Sequence, residues 1–598
     1  MTRISRRKAL KKIGIMAASG IIGVSSPFPR IGASQTVSDR TLSRLERILY
    51  SEYEWPYPRE DMEWAERVVF TSKNRGVVSV CPRDGKKLDI KFYSYSGREG
   101  MLPYTRPVLF EKVSGPLDIP VNFEGPYLSY RIEYREGKGK WKSLSPKTVK
   151  TPDRCLKDEP VEIWVIADDH SYADLKWAHN NKDGKWRDKI VNGEYIADLT
   201  KEILINPSFI PDEKYRACMP FGTLIADMMA FLLKYGDPDV IINLGDTVGL
   251  ETTVRNREWG PDMPKHDLNE GARKVWERYR KVWSPLTPYV MYDLATGNHD
   301  GEEGYDPARP YGRVWRRRLF RMPGRYSFMN TAGVPENWKA VAQGLREARD
   351  AVENYHLVRW ANDVDLIILD ASGYTPVYPE TMDGWTLGEE QKEWFERALG
   401  DSDSIWKFVF SHNVIGGWPT SFKKVLVREP GLFVPPVYAY SKTYRRGPLF
   451  TLEDYEKYHD EPSMIEQPGL TEACLKYGAR GWFYGHDHVS KIKEIGPTAD
   501  GKMMIGMCCG GPRFTGSSFQ KVLHYQRWLE NYGSPDGQPP EVYTCPGIVK
   551  VTVYEDQAKI EYITSARPYL SGPGAGGYTN ISPGKKPGDI IYDYNLDS

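Results

Sequence analysis

"RGWFYGHDH", residues 480–488, joins a short apolar run to a polar end that holds two histidines. Four apolar or aromatic residues followed by a glycine turn read as a buried strand, since a helix needs a longer periodic segment. On an extended chain, residues two apart face the same side. His486 and His488 are therefore either a packed pair or half of a metal site. The same construction recurs upstream. "VEIWVIADDH" (161–170) ends in Asp168, Asp169 and His170, and "PDVIINLGD" (238–246) ends in Asp246. "MYDLATGNHD" (291–300) ends in Asn298, His299 and Asp300, and "WKFVFSHN" (406–413) brings His412.

Between these runs lie helical stretches, among them 223–236, 387–399 and 470–478. Strands that are apolar throughout and alternate with helices suit a layered α/β fold, covered on both faces. In such folds the carboxyl ends of the strands share one edge, where ligands bind. Five segments spread over more than 300 residues can thus meet in one crevice. Five of the ten histidines fall at these strand ends. His179, His266, His356, His459 and His524 lie in polar or helical contexts and read as surface or ordinary packed residues.

Imidazole, carboxylate and amide oxygen together suit divalent metals of borderline hardness, such as Mn, Fe and Zn. Two cations about 3.5–4 Å apart polarise a phosphoryl oxygen and generate a nucleophilic hydroxide. A carboxylate must bridge ions that close, and the Asp of a Gly-Asp turn is suited because glycine lets the backbone approach.

Asp168-x-His170, Gly245-Asp246, Gly297-Asn298-His299-Asp300, the lone His412 and Gly485-His486-x-His488 resemble the five blocks of the calcineurin-like metallophosphoesterase superfamily, in the family's order. The resemblance covers residues 160–565. It implies a layered β-sandwich flanked by helices. It also implies two divalent or transition metal ions (Mn, Fe, Zn or Ca). Asp168, His170, Asp246 and His488 would hold the first, and Asp246, Asn298, His412 and His486 the second, with Asp246 bridging. His299 would face the substrate, stabilising a phosphoryl oxygen or protonating the leaving group. Asp300 would orient His299, as carboxylates do for imidazoles. The implied reaction is hydrolysis of a phosphorylated small molecule, a phosphomonoester first, by attack of a metal-bridging hydroxide. The same motifs serve phosphodiester and nucleotide hydrolysis, and a non-catalytic surface binding protein could use the same scaffold.

Departures from the pattern also inform. In purple acid phosphatases a tyrosine follows the Gly-Asp block by three residues and ligates ferric iron. Gly249 stands there in this chain, so that ferric site is not expected. Asp169 is an extra acid, read as a partner behind the ligands, as a solvent-facing group, or as a replacement for Asp168 if the strand register differs. After Asp300, residues 309–325 carry seven arginines. Either they solvate a helix face, or one or two, Arg309 and Arg313 foremost, reach the substrate phosphate.

Flanking segments complete the organisation. Residues 62–152 contain short runs rich in β-branched and aromatic residues, separated by Gly, Pro and charged turns, the pattern of a small β-sandwich. They resemble the fibronectin-III-like domains ahead of extracytoplasmic catalytic domains, with "KTVKTP" read as the junction to a catalytic domain over 158–565. Residues 1–33 have a basic start, an apolar middle and small residues near the end, and Arg6-Arg7 resembles the twin-arginine signal. That implies the twin-arginine export machinery as a partner and a periplasmic, extracellular or cell-surface location in a bacterium. Residues 34–61 read as an arm, and 566–598 as a Gly/Pro-rich tail. Loss of residues 1–33 would take the formal charge from +1 to −6, unlike the basic patch of a nucleic-acid-binding module. No run of ~18 apolar residues follows, so no transmembrane span is expected in the mature chain. The seven cysteines, an odd number without zinc-ribbon spacing, make no disulfide framework. Cys508-Cys509 read as packed residues at a strand end, or as a redox pair.

Overall fold

The computed structural model describes residues 65–82, 87–97, 106–144, 146–169, 238–248, 268–283, 286–300, 309–324, 328–329, 354–374, 386–413, 462–486, 490–509, 547–564 and 589–598. The expected signal and arm, the 223–236 helix, and the segments 170–237 and 414–461 lie outside these residues.

The apolar runs form two six-stranded sheets. The first takes β9 (Val161–Ile166), β10 (Val240–Asn243) and β11 (Met291–Leu294) as a parallel set. It continues antiparallel through β18 (Gly547–Val553), β19 (Gln557–Thr564) and β20 (Ile590–Asp597). The second runs β12 (His356–Trp360), β13 (Val364–Ile368), β14 (Trp406–Ser411), β15 (Gly481–Tyr484), β17 (Met503–Cys509) and β16 (Ser490–Pro497). Its four central strands are parallel and its two edges antiparallel.

Alternation decides which face goes where. Ile163, Val165, Ile242, Val549 and Val551 of the first sheet meet Leu366, Ile368, Phe408, Phe410 and Phe483 of the second in one continuous core. The intervening residues of the second sheet, Leu357, Ile367, Val409 and Trp482, pack under helices. These are α3 (Glu389–Gly400), through Trp394 and Phe395, and α4 (Pro462–Lys476), through Leu470 and Cys474. On the outer face of the first sheet, α1 (Leu268–Trp283) sets Trp283 4.5 Å from Tyr292, centroid to centroid. The helix α2 (Arg309–Leu319) follows β11. Helix, sheet, sheet, helix is the layered α/β arrangement expected.

Eight strands precede it, from β1 (Ala65–Ser72) to β8 (Lys147–Lys150). β1 pairs with β2 (Arg75–Cys81), which pairs with β5 (Leu117–Asn122). A second sheet holds β4 (Val108–Val113), β3 (Leu88–Ser96), β6 (Tyr127–Glu136), β7 (Lys142–Ser143) and β8. In β3, Leu88, Ile90 and Phe92 point inward while Asp89, Lys91 and Tyr93 alternate outward, the period-2 signature of a half-buried strand.

"KTVK" is β8, the last strand before residue 152, paired antiparallel with β6. One sequence expectation changes. The chain after 565 does not stay a tail, because Ile590–Asp597 form β20 and close the edge of the first sheet against β19. The Gly/Pro-rich composition of 571–588 masked the alternation that follows it in "IIYDYNLD", where Tyr592 and Leu596 face inward.

Candidate metal centre

Each predicted strand end that the structure describes arrives at one seam, where the carboxyl ends of β9, β10 and β11 meet those of β14 and β15. Backbone bonds stitch the loops together. Asp168 N–H donates to the Gly245 carbonyl (3.0 Å) and Gly485 N–H to the His412 carbonyl (2.9 Å). His486 N–H donates to both carboxylate oxygens of Asp168 (3.0 and 2.8 Å). His299 N–H donates to Asp246 Oδ1 (2.8 Å).

The Gly-Asp turn and the Gly-Asn-His-Asp turn touch backbone to backbone. A Cβ on Gly245 would lie 2.4 Å from Gly297 N, and one on Gly297 would lie 2.0 Å from Asp246 N. Gly245 also has φ +102°, open to glycine alone at little cost. Any side chain at either position would push Asp246 away from Asn298.

His412 sits at the centre. Its Nδ1 lies 2.9 Å from the Leu244 carbonyl and donates there, which turns Nε2 inward. Around that Nε2 converge His486 Nδ1 (3.0 Å), Asn298 Oδ1 (3.1 Å) and Asp246 Oδ1 (3.2 Å). Ligands bound about 2.1 Å from a shared ion sit roughly 3.0 Å apart in an octahedral shell and about 3.4 Å in a tetrahedral one. The donor set and its spacing therefore fit a cation, and an imidazole fixed through its other nitrogen is the usual posture of a metal ligand. Asp246, His412 and His486 each offer a ligand atom within 4.8 Å of the others, and all three are buried. Burial alone would lower the His412 pKa, but the carboxylates of Asp246, Asp168 and Asp300 outweigh it and hold the ring up at about 9. The site is thus electronegative enough to keep a proton on imidazole without a cation.

Of the residues expected in the second ligand set, the structure brings Asp246, Asn298 and His486 together around His412. Of those expected in the first, Asp168 and Asp246 lie at the same seam, while His170 and His488 lie outside the described residues. So does Asp487 between the two histidines.

Asp300 and Arg313 turn into the protein, and Asp169 takes the first of its three readings, a partner behind the strand ends. Asp300 does not orient the His299 ring. Its Oδ2 accepts from Gly297 N (2.9 Å) and Asp246 N (3.1 Å). Its Oδ1 accepts from Thr247 N (2.7 Å), Thr247 Oγ1 (2.9 Å) and Val248 N (2.9 Å). A carboxylate with five donors clamps the turn that carries Asp246. Burial and the neighbouring Asp246 charge push its pKa up, opposed by the backbone N–H groups of Val248 and Gly297.

Asp169 is neither ligand nor solvent-facing. Its Oδ2 accepts from Tyr279 Oη (2.7 Å) and Asn243 Nδ2 (3.0 Å) in a buried cluster with Tyr292 behind the strand ends. Burial, then Asp169, push the Tyr279 phenol well above its ordinary range.

Arg313 faces a buried acid. It is 4% exposed, and its Nη2 faces Asp370 Oδ2 at 3.4 Å. Arg316, fully buried, donates to the Leu294 carbonyl, and Arg321 pairs with Asp118 at 3.0 Å. These arginines bolt α2 and the segment after it to the rest of the molecule. The Arg309 side chain lies outside the described residues. Cys508 and Cys509 are buried in β17, and burial pushes the Cys509 thiol up, as in an inert packed cysteine.

Asp370, at the end of β13, had no motif to mark it. It accepts from Thr296 Oγ1, the residue before Gly297, and from Gly373 N (2.8 Å) and Asn354 Nδ2 (3.0 Å). The rule that flagged the other strand ends, an acid closing an apolar run, would have found it.

No family model and no curated protein matches the chain. Solved structures similar to it include the purple acid phosphatase PPD1 from yellow lupin (Lupinus luteus) seeds, at 12% identity and TM-score 0.46, covering 89% of this chain and 74% of that one. Another is PhoD, at 12% identity and TM-score 0.48, covering 88% and 94%.

Proposed function

We propose that the protein is an exported, metal-dependent phosphoric ester hydrolase that acts first on phosphomonoesters. The observation that supports it most is the convergence of Asp246, Asn298 and His486 on His412 Nε2, a mixed N/O set at ligand spacing. The order of the five strand-end blocks in the sequence adds to it.

In this reading Asp246, Asn298, His412 and His486 hold one cation, and Asp168, His170 and His488 join Asp246 in holding a second. When bound, the pair supplies Lewis-acid polarisation of the phosphoryl oxygen and a water of lowered pKa. The remaining work belongs to the chain. Leu244 fixes the His412 ring through its carbonyl. Asp300 and the Gly245–Gly297 contact hold the bridging carboxylate against Asn298. His299 is half-buried, with its backbone anchored on Asp246, and its ring serves the substrate side, where an imidazole protonates a departing alkoxide.

Export rests on the Arg6-Arg7 leader. Among the described residues no helix is long and apolar enough to cross a membrane.

The test is a panel of aryl phosphate monoesters, diesters and nucleotides on protein reconstituted with Mn, Fe, Zn or Ca. Monoester turnover in the wild type, lost in Asp246→Asn together with bound metal, is the expected result. Preference for diesters would move the reading to a phosphodiesterase. Two equivalents of metal with no turnover on any ester would make this a binding protein.

A further inference from the structure

Two open sheet edges meet beside the candidate site. β11 is the edge of the first six-stranded sheet, and β1 is the edge of the three-stranded sheet in the N-terminal sandwich. They do not pair as strands. Ala295 N–H donates inward to the Asn243 carbonyl (2.8 Å), so the alternate residues Tyr292 and Leu294 direct their backbone groups outward. Buried outward carbonyls need donors, because an orphaned one costs about 1–3 kcal/mol.

Side chains supply them. Arg67 of β1, 1% exposed, donates through Nη2 to the Tyr292 carbonyl. Arg316 of α2 donates to the Leu294 carbonyl. Asp293 Oδ1 accepts from Leu294 N (2.8 Å), while its Oδ2 lies 2.8 Å from His356 Nε2 across the seam to β12. Thr296 is held by Asp370. The strand is therefore gripped at 292, 294 and 296, every second residue, immediately before Gly297-Asn298-His299-Asp300. The first grip comes from the other module. Arg67 is further fixed by Phe320, whose ring lies 5.4 Å beneath its guanidinium, and by Met322 Sδ at 3.7 Å. Around it, Thr287 Oγ1 donates to the Glu66 carbonyl (2.5 Å), Lys147 pairs with Glu66 (2.8 Å), and Phe70 packs edge-on against Trp360 (5.7 Å).

We propose that Arg67 is a positioning residue for the candidate active site: by capping the Tyr292 carbonyl on the open edge of β11, it fixes the strand that delivers Asn298 and His299. The N-terminal sandwich is then a working part of the catalytic unit rather than a separable appendage. The catalytic half of this inference rests on the function proposed above. The mechanical half rests on geometry alone.

The experiment compares Arg67→Met, which keeps length and loses the donors, with Arg67→Lys, which keeps one donor. Arg321→Gln breaks a different tie between the same modules, to Asp118, and serves as the control. Hydrogen exchange over peptide 291–300, bound-metal stoichiometry, kcat and KM are read on the full chain. In Arg67→Met, exchange should quicken over 291–300 but not over β9 or β14, and metal affinity should fall about tenfold through Asn298. A slackened loop should lower kcat by about 10- to 100-fold with KM within about twofold. Arg67→Lys should recover part of each loss, and Arg321→Gln should match the wild type.

Unchanged protection over 291–300 in Arg67→Met overturns the proposal. So does a loosening spread over the whole chain, or local loosening with unchanged metal binding and kcat. If Arg67→Met does not fold, Arg67→Lys carries the same readouts. Should the wild type turn over no ester at all, the function fails separately, and exchange with metal stoichiometry still decides the role of Arg67.

Discussion

Asp300→Asn separates two roles for one carboxylate. The change keeps shape and removes one acceptor oxygen, replacing it with a donating NH2. Whichever way the amide turns, it must present donors to donors. The milder rotamer places the NH2 at the Oδ2 position, facing Gly297 N and Asp246 N; the other would face Thr247 N, Thr247 Oγ1 and Val248 N. Two buried N–H groups losing their acceptor cost about 2–6 kcal/mol. Loss of the Asp300 charge relieves its repulsion with Asp246, the second cause of its raised pKa, and offsets part of that. A net destabilisation of about 3 kcal/mol is expected, more than a hundredfold in the unfolding constant. Urea unfolding of the metal-free protein measures it. Metal titration should show weaker binding, because the Asp246 turn is no longer clamped. The pH dependence of kcat should keep its shape, since the His299 ring is not Asp300's partner. A variant within about 0.5 kcal/mol of wild-type stability, with a displaced pH profile, would refute the clamp and restore the ring-orienting role.

Three further outcomes follow from charges around the site. His412 holds its proton to about pH 9 when no cation is bound, so metal binding at pH 7 should release close to one proton. Calorimetry in buffers of different ionisation enthalpy reads that proton, and buffer-independent heats would contradict it. The folded pKa lies above the unfolded value of 6.5, so the stabilisation is complete below 6.5 and lost as pH rises through 9. The metal-free protein should lose about 3 kcal/mol across that window, and His412→Gln should flatten the loss. Arg313→Gln should leave KM for phosphate esters within about twofold while lowering stability by about 2 kcal/mol, since Asp370 loses a buried cationic partner. A large rise in KM at unchanged stability would instead make Arg313 a substrate ligand.

The site was legible because strand ends announce themselves. "VIINLGD" and "KFVFSHN" each change from apolar residues to a candidate ligand within two residues, and the fold brings such ends to one edge whatever their separation in the chain. What the sequence hid was the direction of individual side chains. Asp300 and Arg313 look like actors beside His299, yet both turn into the protein. A carboxylate next to five backbone and hydroxyl donors goes to them before it goes to a ring, and an arginine on the apolar side of α2 goes to the nearest buried acid. No motif marks Tyr279 or Tyr292 in the sequence. Only the tertiary structure sets their hydroxyls 2.7 Å apart, beside Asp169 and Asn243. β20 escaped for a simpler reason: it follows a long Gly/Pro-rich segment without periodic pattern.

Backbone conformation ties these residues to one purpose. Asp168, Asp246 and His486 all hold positive φ, at 53°, 55° and 70°. For residues with a side chain that region costs roughly 1 kcal/mol or more each, least for Asp. Each follows the last residues of a parallel strand, and the left-handed step turns the chain out of the sheet so that the side chain faces the seam. What offsets the cost is the hydrogen bonding it permits. The Asp168 carboxylate takes the N–H of His486, the Asp246 carboxylate takes that of His299, and the Asp168 N–H reaches the Gly245 carbonyl. Asp168 and His486 are thus bonded to each other across a separation of 318 residues, and Asp246 is bonded to the turn that carries His299. The side chains of Asp246, Asn298, His412 and His486 are held at their spacing by the chain itself, so a cation entering among them would not have to gather them.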